Sequence, residues 1–410
     1  MSQVDAGVRA PTYEPPAPRA HQHPPEPPSQ PSSRRPSFLK RLLARASSLP
    51  CTVAIYMRDG EQILIGTGTP AFSVRIRTAK GARSIARLSA LAICEAYIQG
   101  DIDFEGDLIQ ASQFQGLLSD KQFGIKTWRR LKPLLVGREK CNPDWIAKHY
   151  DSDNMQLIIA DRDYHTYTPG TYASDDDTME AGAHRKLENA FNWLKLREGM
   201  TLLDVGHGWG GMVRFSARRN VDVTGITLSR NQFAFVEDAI QKERLSARVR
   251  YQDFFSYTPE QPYDAVSMMG VIEDLSDYPF VMQRLTELVK PGGRVYLDFA
   301  GARSRFGTSS FITKYIWPGT FRMVPLPELI DAVTAAPFEI VELHNDRHNY
   351  HLWAKGMLER WMADRESIVE RLGEAVWRTQ HIMQAGTAGV MGNPACGTNA
   401  YRLVLERRIR

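Results

Sequence analysis

A chain of 410 residues, 43% hydrophobic and 24% charged, is long enough for one large or two ordinary domains, each burying its own core. A net charge of +4 over that length argues against a dedicated nucleic-acid binder and leaves room for a local basic patch facing an anionic surface. The four cysteines, Cys51, Cys94, Cys141 and Cys396, are scattered without a CxxC pair or metal-ligand spacing, so they fit free thiols in a reducing cytosol better than a disulfide framework. No apolar run approaches the ~20 residues that span a bilayer, and the N-terminus lacks the apolar core of a signal peptide. The expected location is the cytoplasm, at most resting on the inner face of the membrane.

Residues 1–36 are rich in Pro, Ser, Gln and His and almost free of branched apolar side chains. Such a stretch buries too little surface to offset its ordering entropy and is expected to be a disordered tail. In residues 37–50, Phe38, Leu39, Leu42 and Leu43 share a helical face while Lys40, Arg41 and Arg45 crowd other positions. This basic amphipathic segment suits either an anionic bilayer surface or packing on its own domain. From 51 to 140 the pattern predicts a small α+β domain, with strands at Thr52–Met57, Gln62–Gly66 and Phe72–Thr78 and one helix over Ser84–Gln99, ended by Gly100. Within the remainder, 141–410, strands and helices alternate from about residue 186, the pattern of a parallel sheet flanked by helices.

Thr201–Gly211 (TLLDVGHGWGG) reads as a buried strand entering a glycine-rich turn, followed by a helix over Met212–Arg219. Glycines let a ligand approach the backbone at the carboxyl end of a strand. Dinucleotide enzymes use similar turns, but three features favour S-adenosylmethionine (SAM). Asp204 precedes the first glycine, where it would repel a pyrophosphate. A second strand, Val221–Gly225, ends at Ile226-Thr-Leu-Ser229, offering hydroxyls to a ribose. A third, Val249–Tyr251, ends at Gln252-Asp253-Phe254, where a carboxylate can accept from an adenine amino group. Three strand ends converging at a switch point make a nucleoside pocket.

The ordered blocks Glu95–Leu108, His149-Tyr-Asp151 with Asn154, Leu203–Gly211, Gly225–Gln232, Lys290-Pro-Gly-Gly293, Lys314–Gly319 and Asn349-Tyr-His-Leu352 cover nearly all of residues 85–405. Together they resemble the cyclopropane fatty acid synthase family, SAM-dependent methyltransferases that include the mycolic acid enzymes. The resemblance implies an α/β fold: a Rossmann-like, seven-stranded class I methyltransferase sheet, its last strand near Arg402–Arg408, within 141–410. It also implies a smaller amino-terminal α+β domain, 51–140, that engages lipid and often mediates dimerisation, so a homodimer is one assembly it allows. By motif match, Gly206, Gly208, Thr227, Leu228, Gln232, Asp253 and Phe254 would line the cofactor site together with Asp204, and Tyr167 and Thr168 would close over it. The apolar stretch Phe311–Met323 carries the family's lipid-side motif, although core packing explains its aromatics equally well.

Family members transfer the SAM methyl to an alkene carbon of an acyl chain, here expected to belong to an unsaturated phospholipid. The enzyme's task is positioning, tolerance of a carbocation in a dry pocket, and removal of a proton. In cyclopropane-forming members the base is thought to be bicarbonate, held by Cys, Glu, His, an isoleucine backbone group and Tyr. Here Glu273 and Tyr350 keep the glutamate and tyrosine. The cysteine position falls at or near Gly170, the family's His-Thr-Ile is Asp298-Phe-Ala300, the cysteine of the glycine turn is His207, and the histidine after the glutamate is Asp274. A second carboxylate would disfavour an anion beside Glu273. Bicarbonate is therefore doubtful, and Asp298 or Glu273 is expected to take the proton or place the alkene, with Tyr350 as the third catalytic candidate. The product would then be a methylated unsaturated or branched chain rather than a cyclopropane. Asp298 has a plainer alternative as a strand cap or partner of an arginine such as Arg303, and Glu273 as a first-turn helix residue. His348 and His351 flank Tyr350, but their spacing is not that of a metal site. A methyltransferase of a soluble small molecule, and a SAM- or lipid-binding protein without turnover, are the rival readings.

Overall fold

The computed structural model describes residues 51–118, 160–275, 277–302, 309–317 and 322–409. The tail 1–36, the segment 37–50, the block His149–Asp151 with Asn154, and Arg303 lie outside the described residues.

The first described unit is a four-stranded sheet of β1 (Thr52–Tyr56), β2 (Gln62–Ile65), β3 (Pro70–Ile76) and β4 (Ile102–Gly106), in the order β2-β1-β3-β4. Alternate residues of β3, Phe72, Val74 and Ile76, are buried, as a sheet with one covered face requires. The single helix expected over Ser84–Gln99 is two: α1 (Ala79–Ala86) and α2 (Ala90–Ile98). Leu88 takes the left-handed conformation (φ +49°), and the Ser89 hydroxyl accepts from Ala92 N at 3.4 Å to cap the new helix. A serine directly before an apolar run is a helix start as readily as a helix interior residue, and here the cap wins.

The large sheet runs β11-β12-β9-β8-β5-β6-β7. Its strands are β5 (Thr201–Val205), β6 (Asp222–Thr227), β7 (Ala247–Tyr251), β8 (Tyr263–Met269), β9 (Val289–Ala302), β11 (Phe338–Asn345) and β12 (Thr398–Arg407), with the two-residue β10 (Val324–Pro325) paired to β9. From β7 to β9 all neighbours are parallel, whereas β12 is antiparallel to both β9 and β11. The sheet expected from the sequence is therefore present. The chain leaves β5 toward β6 on one side and reaches β8 on the other, so the carboxyl ends of β5 and β8 part around a crevice.

Around the sheet lie α3 (Met179–Trp193), α4 (Gly211–Ala217), α5 (Arg230–Glu243), α6 (Tyr278–Leu288) and α7 (Leu326–Ala335). One apolar cluster joins Leu203, Val205, Val266, Leu297 and Leu403 to α6 and α7, and a second joins Leu202, Val223, Ala265 and Val404 to α3 and α4. Three further helices, α8 (Arg347–Ala363), α9 (Arg365–Leu372) and α10 (Glu374–Gly392), share a third cluster with the small sheet: Trp353, Met357, Trp361 and Trp377 pack with Val53, Ile65, Phe72 and Ile102. Trp361 and Trp377 each donate an indole N–H to the other's carbonyl, at 2.9 and 3.2 Å, which satisfies both polar groups inside that core. The Tyr97 hydroxyl meets His381 Nδ1 at 2.7 Å, and Arg378 Nη1 donates to Tyr97 O at 2.9 Å, tying α2 to α10. The small sheet is thus fastened to the last helices of the large unit by an apolar face with polar pins. No helix among the described residues is long and apolar enough to cross a membrane.

Candidate active site

The turn after β5 carries positive φ at Gly206 (+65°), Gly208 (+54°) and Gly210 (+85°). Gly206 N donates to Ile226 O at 2.8 Å, and a Cβ at Gly206 would lie 2.5 Å from Val271 Cγ2. Only glycine meets both conditions, so the turn hugs β6 and leaves its outer side open. That open side is a cavity of about 140 Å³ at the carboxyl ends of the strands. Tyr167, Thr168, Asp204, Gly206, Gly208, Thr227, Leu228, Gln232, Asp253 and Phe254, scattered along the sequence, all line it.

Asp204 sits between Gly225 on β6 and Ser267 on β8 in register, and Ser267 Oγ donates to its Oδ1 at 2.7 Å. Burial pushes the Asp204 carboxyl up to about 7, against the pull of Ser267 and the Lys186 ammonium. The Thr227 hydroxyl is engaged within the turn. Its Oγ1 donates to Gln232 Oε1 at 2.9 Å and accepts from Ser229 N at 3.1 Å, while Ser229 Oγ caps α5 through Gln232 N. Thr227 therefore fixes Gln232 within the turn. Asp253 Oδ1 accepts from Phe255 N at 2.7 Å, which locks the end of β7 beside buried Phe254. His207 is 4% exposed and its Nδ1 lies 2.9 Å from Gly208 O. Burial lowers its imidazole to about 4, so at neutral pH it is an uncharged wall residue. Positive-φ backbone, a buried acid and fixed amide and carboxyl groups suit a nucleoside that carries an amino-acid tail.

A second cavity of about 560 Å³ adjoins the first, and Tyr167, Thr168, Gly270 and Asp274 line both. Most of its wall is apolar, from α2 (Ile93), α10 (Ile382, Met383, Val390) and the start of Phe311–Met323 (Phe311, Ile312, Trp317), with Met323 at the far end of that stretch. Residues 318–321 lie outside the described residues. Glu273, Asp298 and Tyr350 stand on the same wall, so the topology brings together all three catalytic candidates.

Glu273 lies in a short 3₁₀ turn after β8, 6% exposed. Its Oε1 accepts from Ala300 N at 2.8 Å, while the buried Oε2 has no hydrogen-bond partner among the described residues. Burial, with help from the neighbouring Asp274 and Asp298 charges, raises its carboxyl to about 8. Ala300 stands where the family places its isoleucine backbone group, and its N–H is already taken by Glu273. Asp274, shared by both cavities, is pushed up to about 7 by burial. The Tyr350 ring packs edge-on against Trp353 (5.1 Å, 86°), and burial holds its phenol far above the ordinary range. It remains a neutral donor. Among its neighbours, His348 Nε2 meets Asp175 Oδ1 and His351 Nδ1 meets Ala388 O, each at 2.7 Å.

Asp298 is not a lone carboxylate. Lys186, 1% exposed on the inner face of α3, lies 2.8 Å from Asp298 Oδ2. The repulsion of an anion expected from Asp298 is offset by this partner. In the sequence Lys186 gives a single signal, a lysine in step with Met179, Gly182, Ala183, Leu187 and Ala190 on the buried helix face. Gly170 also carries more than the loss of a thiol. A Cβ there would lie 2.6 Å from Gly182 C and 3.0 Å from Ala183 N, both backbone atoms of α3. Gly170→Cys is therefore expected to cost about 1–3 kcal/mol through overpacking. The measurement is a thermal melt, and a melting point equal to wild type would contradict the tight crossing.

Comparison with known proteins agrees with this geometry. The family described as mycolic acid cyclopropane synthetase matches residues 138–390, and a domain of unknown function matches residues 38–114. A sphingolipid C9-methyltransferase of Komagataella phaffii is 24% identical over 343 residues, covering 77% of this chain and 69% of that protein. A probable fatty acid methyltransferase of Mycobacterium tuberculosis is 30% identical over 245 residues, and the match spans 57% of each chain. The structure of the cyclopropane synthase MmaA2 from Mycobacterium tuberculosis superposes with a TM-score of 0.60 at 20% identity, covering 65% of this chain and 98% of that one, a likeness of fold. With more than half of its length matched by that family, the chain belongs to the mycolic acid cyclopropane synthetase family and is a SAM-dependent methyltransferase.

Proposed function

We propose that the protein methylates a double-bond carbon of an unsaturated fatty acyl chain, carried in a phospholipid, and that Glu273 takes the departing proton without bicarbonate. The observation that carries this reading is the apolar cavity adjoining the cofactor cavity, with the unpartnered Glu273 Oε2 in its wall. SAM, when bound, supplies an electrophilic methyl group. Residues around the glycine turn hold the cofactor, and Tyr167 and Thr168 stand at the seam where donor and acceptor meet. The alkene π pair forms the new carbon–carbon bond as the methyl–sulfur bond breaks, its pair staying on sulfur to leave the uncharged thioether, and a cation is left on the adjacent alkene carbon. The apolar wall keeps water from that cation, Ala300 N holds Glu273 in place, and Glu273 Oε2 accepts the proton whose C–H pair restores a double bond. The product is a methylated unsaturated chain. If the proton came instead from the transferred methyl, its C–H pair would close a cyclopropane ring.

In this reading residues 141–410 form the methyltransferase unit, and residues 51–140 engage the lipid from the membrane surface. Incubation with labelled SAM and defined unsaturated phospholipids, in buffer freed of bicarbonate, is expected to place label in a methylated acyl chain identified by mass spectrometry and NMR. Label in a soluble molecule and none in lipid would overturn the acceptor. A cyclopropane made only when bicarbonate is present would overturn the base.

A further inference from the structure

Lysine is almost never fully buried without a partner, and Lys186 touches neither cavity directly. Its Nζ lies 2.8 Å from Asp298 Oδ2, at the carboxyl end of β9, and donates to Thr168 Oγ1, the hydroxyl of a residue that lines both cavities. Asp204 on β5 is close enough for the same ammonium to oppose, in part, the rise that burial imposes on its carboxyl. The other cation acting on Asp298, Arg402, is paired with Asp346. Asp298 O also accepts from Gly270 N at 3.0 Å, so the strand end that Lys186 holds is bonded to another seam residue. One ammonium thus ties α3, β9 and the Tyr167–Thr168 segment at the junction of donor and acceptor. Stability alone is a weak reason to keep such a pair, because apolar replacements of buried ion pairs are often neutral or stabilising.

We propose that Lys186 is a positioning residue for methyl transfer: it holds Asp298 as its counter-ion and the Thr168 hydroxyl as its acceptor, fixing the acceptor cavity against the cofactor's seat. The proposal rests on the larger cavity being the acceptor's seat, but its binding test does not. Calorimetry with SAM and with its demethylated product, S-adenosylhomocysteine, reads the pair without any acceptor. In Asp298→Asn the ammonium loses its counter-ion near a bound sulfonium. SAM affinity is expected to fall about tenfold more than that of the uncharged thioether. In K186M/D298N that excess disappears, while methyl transfer stays about tenfold low because Thr168 has lost its donor. Should a thermal melt show the double variant unfolded, Thr168→Val carries the same arm: an unchanged ratio of the two affinities with turnover about tenfold low. Equal loss of both ligands in D298N, or wild-type turnover in K186M/D298N or T168V, overturns the proposal. Failure of every lipid acceptor would remove the acyl reading and leave the affinity ratio standing.

Discussion

Glu273→Gln is expected to lower formation of methylated lipid by about 10²–10⁴-fold, the usual worth of a positioned general base, while the affinity for S-adenosylhomocysteine stays within about threefold of wild type. The amide keeps a carbonyl oxygen to accept from Ala300 N, so the turn after β8 should survive, and what is lost is the oxygen that takes the proton. The wild-type pH profile follows from the same group. Burial raises this carboxyl to about 8, and only its ionised form accepts a proton. Below that pH the acid form dominates, so kcat/KM should climb about tenfold per pH unit on the acid side and level off above about 8. Incorporation of labelled methyl across pH 6–9, in wild type and E273Q, is the measurement. A wild-type rate in E273Q, or a profile flat from pH 6 to 9, would assign the proton to another group.

Gly206→Ala is expected to weaken SAM binding by at least about 30-fold. The left-handed φ of +65° costs an L residue roughly 1–2 kcal/mol, and the new methyl would sit 2.5 Å from Val271 Cγ2, adding about 1–3 kcal/mol of overpacking. Val271 has little rotamer freedom with which to retreat, so the turn itself must shift, and it is the turn that shapes the cofactor cavity. Gly60→Ala supplies the control. Gly60 has φ +87° with nothing within 4 Å of a built Cβ, so strain acts there without a clash and far from the cavity. That variant should lose about 1–2 kcal/mol of stability and keep its cofactor affinity. Calorimetry on both variants checks the pair, and unaltered SAM affinity in G206A would show that the turn is not what shapes the site.

The cofactor turn was legible because its information is local. Asp204, Gly206, Gly208 and Gly210 lie within one strand–turn–helix, and the positive φ values that the glycines permit are the ones observed. The second and third strand ends were legible for the same reason, each a short stretch alternating β-branched or aromatic residues with polar ones that stops at Thr227 or at Gln252-Asp253. Reading failed where a residue type serves two purposes. Ser89 begins a helix instead of continuing one, because the nearest backbone N–H decides which bond a hydroxyl makes.

By itself, the sequence determined the parallel sheet and the glycine turn, since periodicity and glycine spacing are properties of consecutive residues, while Glu273, Asp298 and Tyr350 became candidates through the family resemblance alone. Tertiary structure alone decided their charge and company. Lys186 reaches Asp298 on β9 from α3, Ala300 N occupies one oxygen of Glu273 and leaves the other without a hydrogen-bond partner among the described residues, and Gly170 abuts the backbone of Gly182. Desolvation and pairing depend on what the fold brings within a few ångströms, and chain order does not encode that distance.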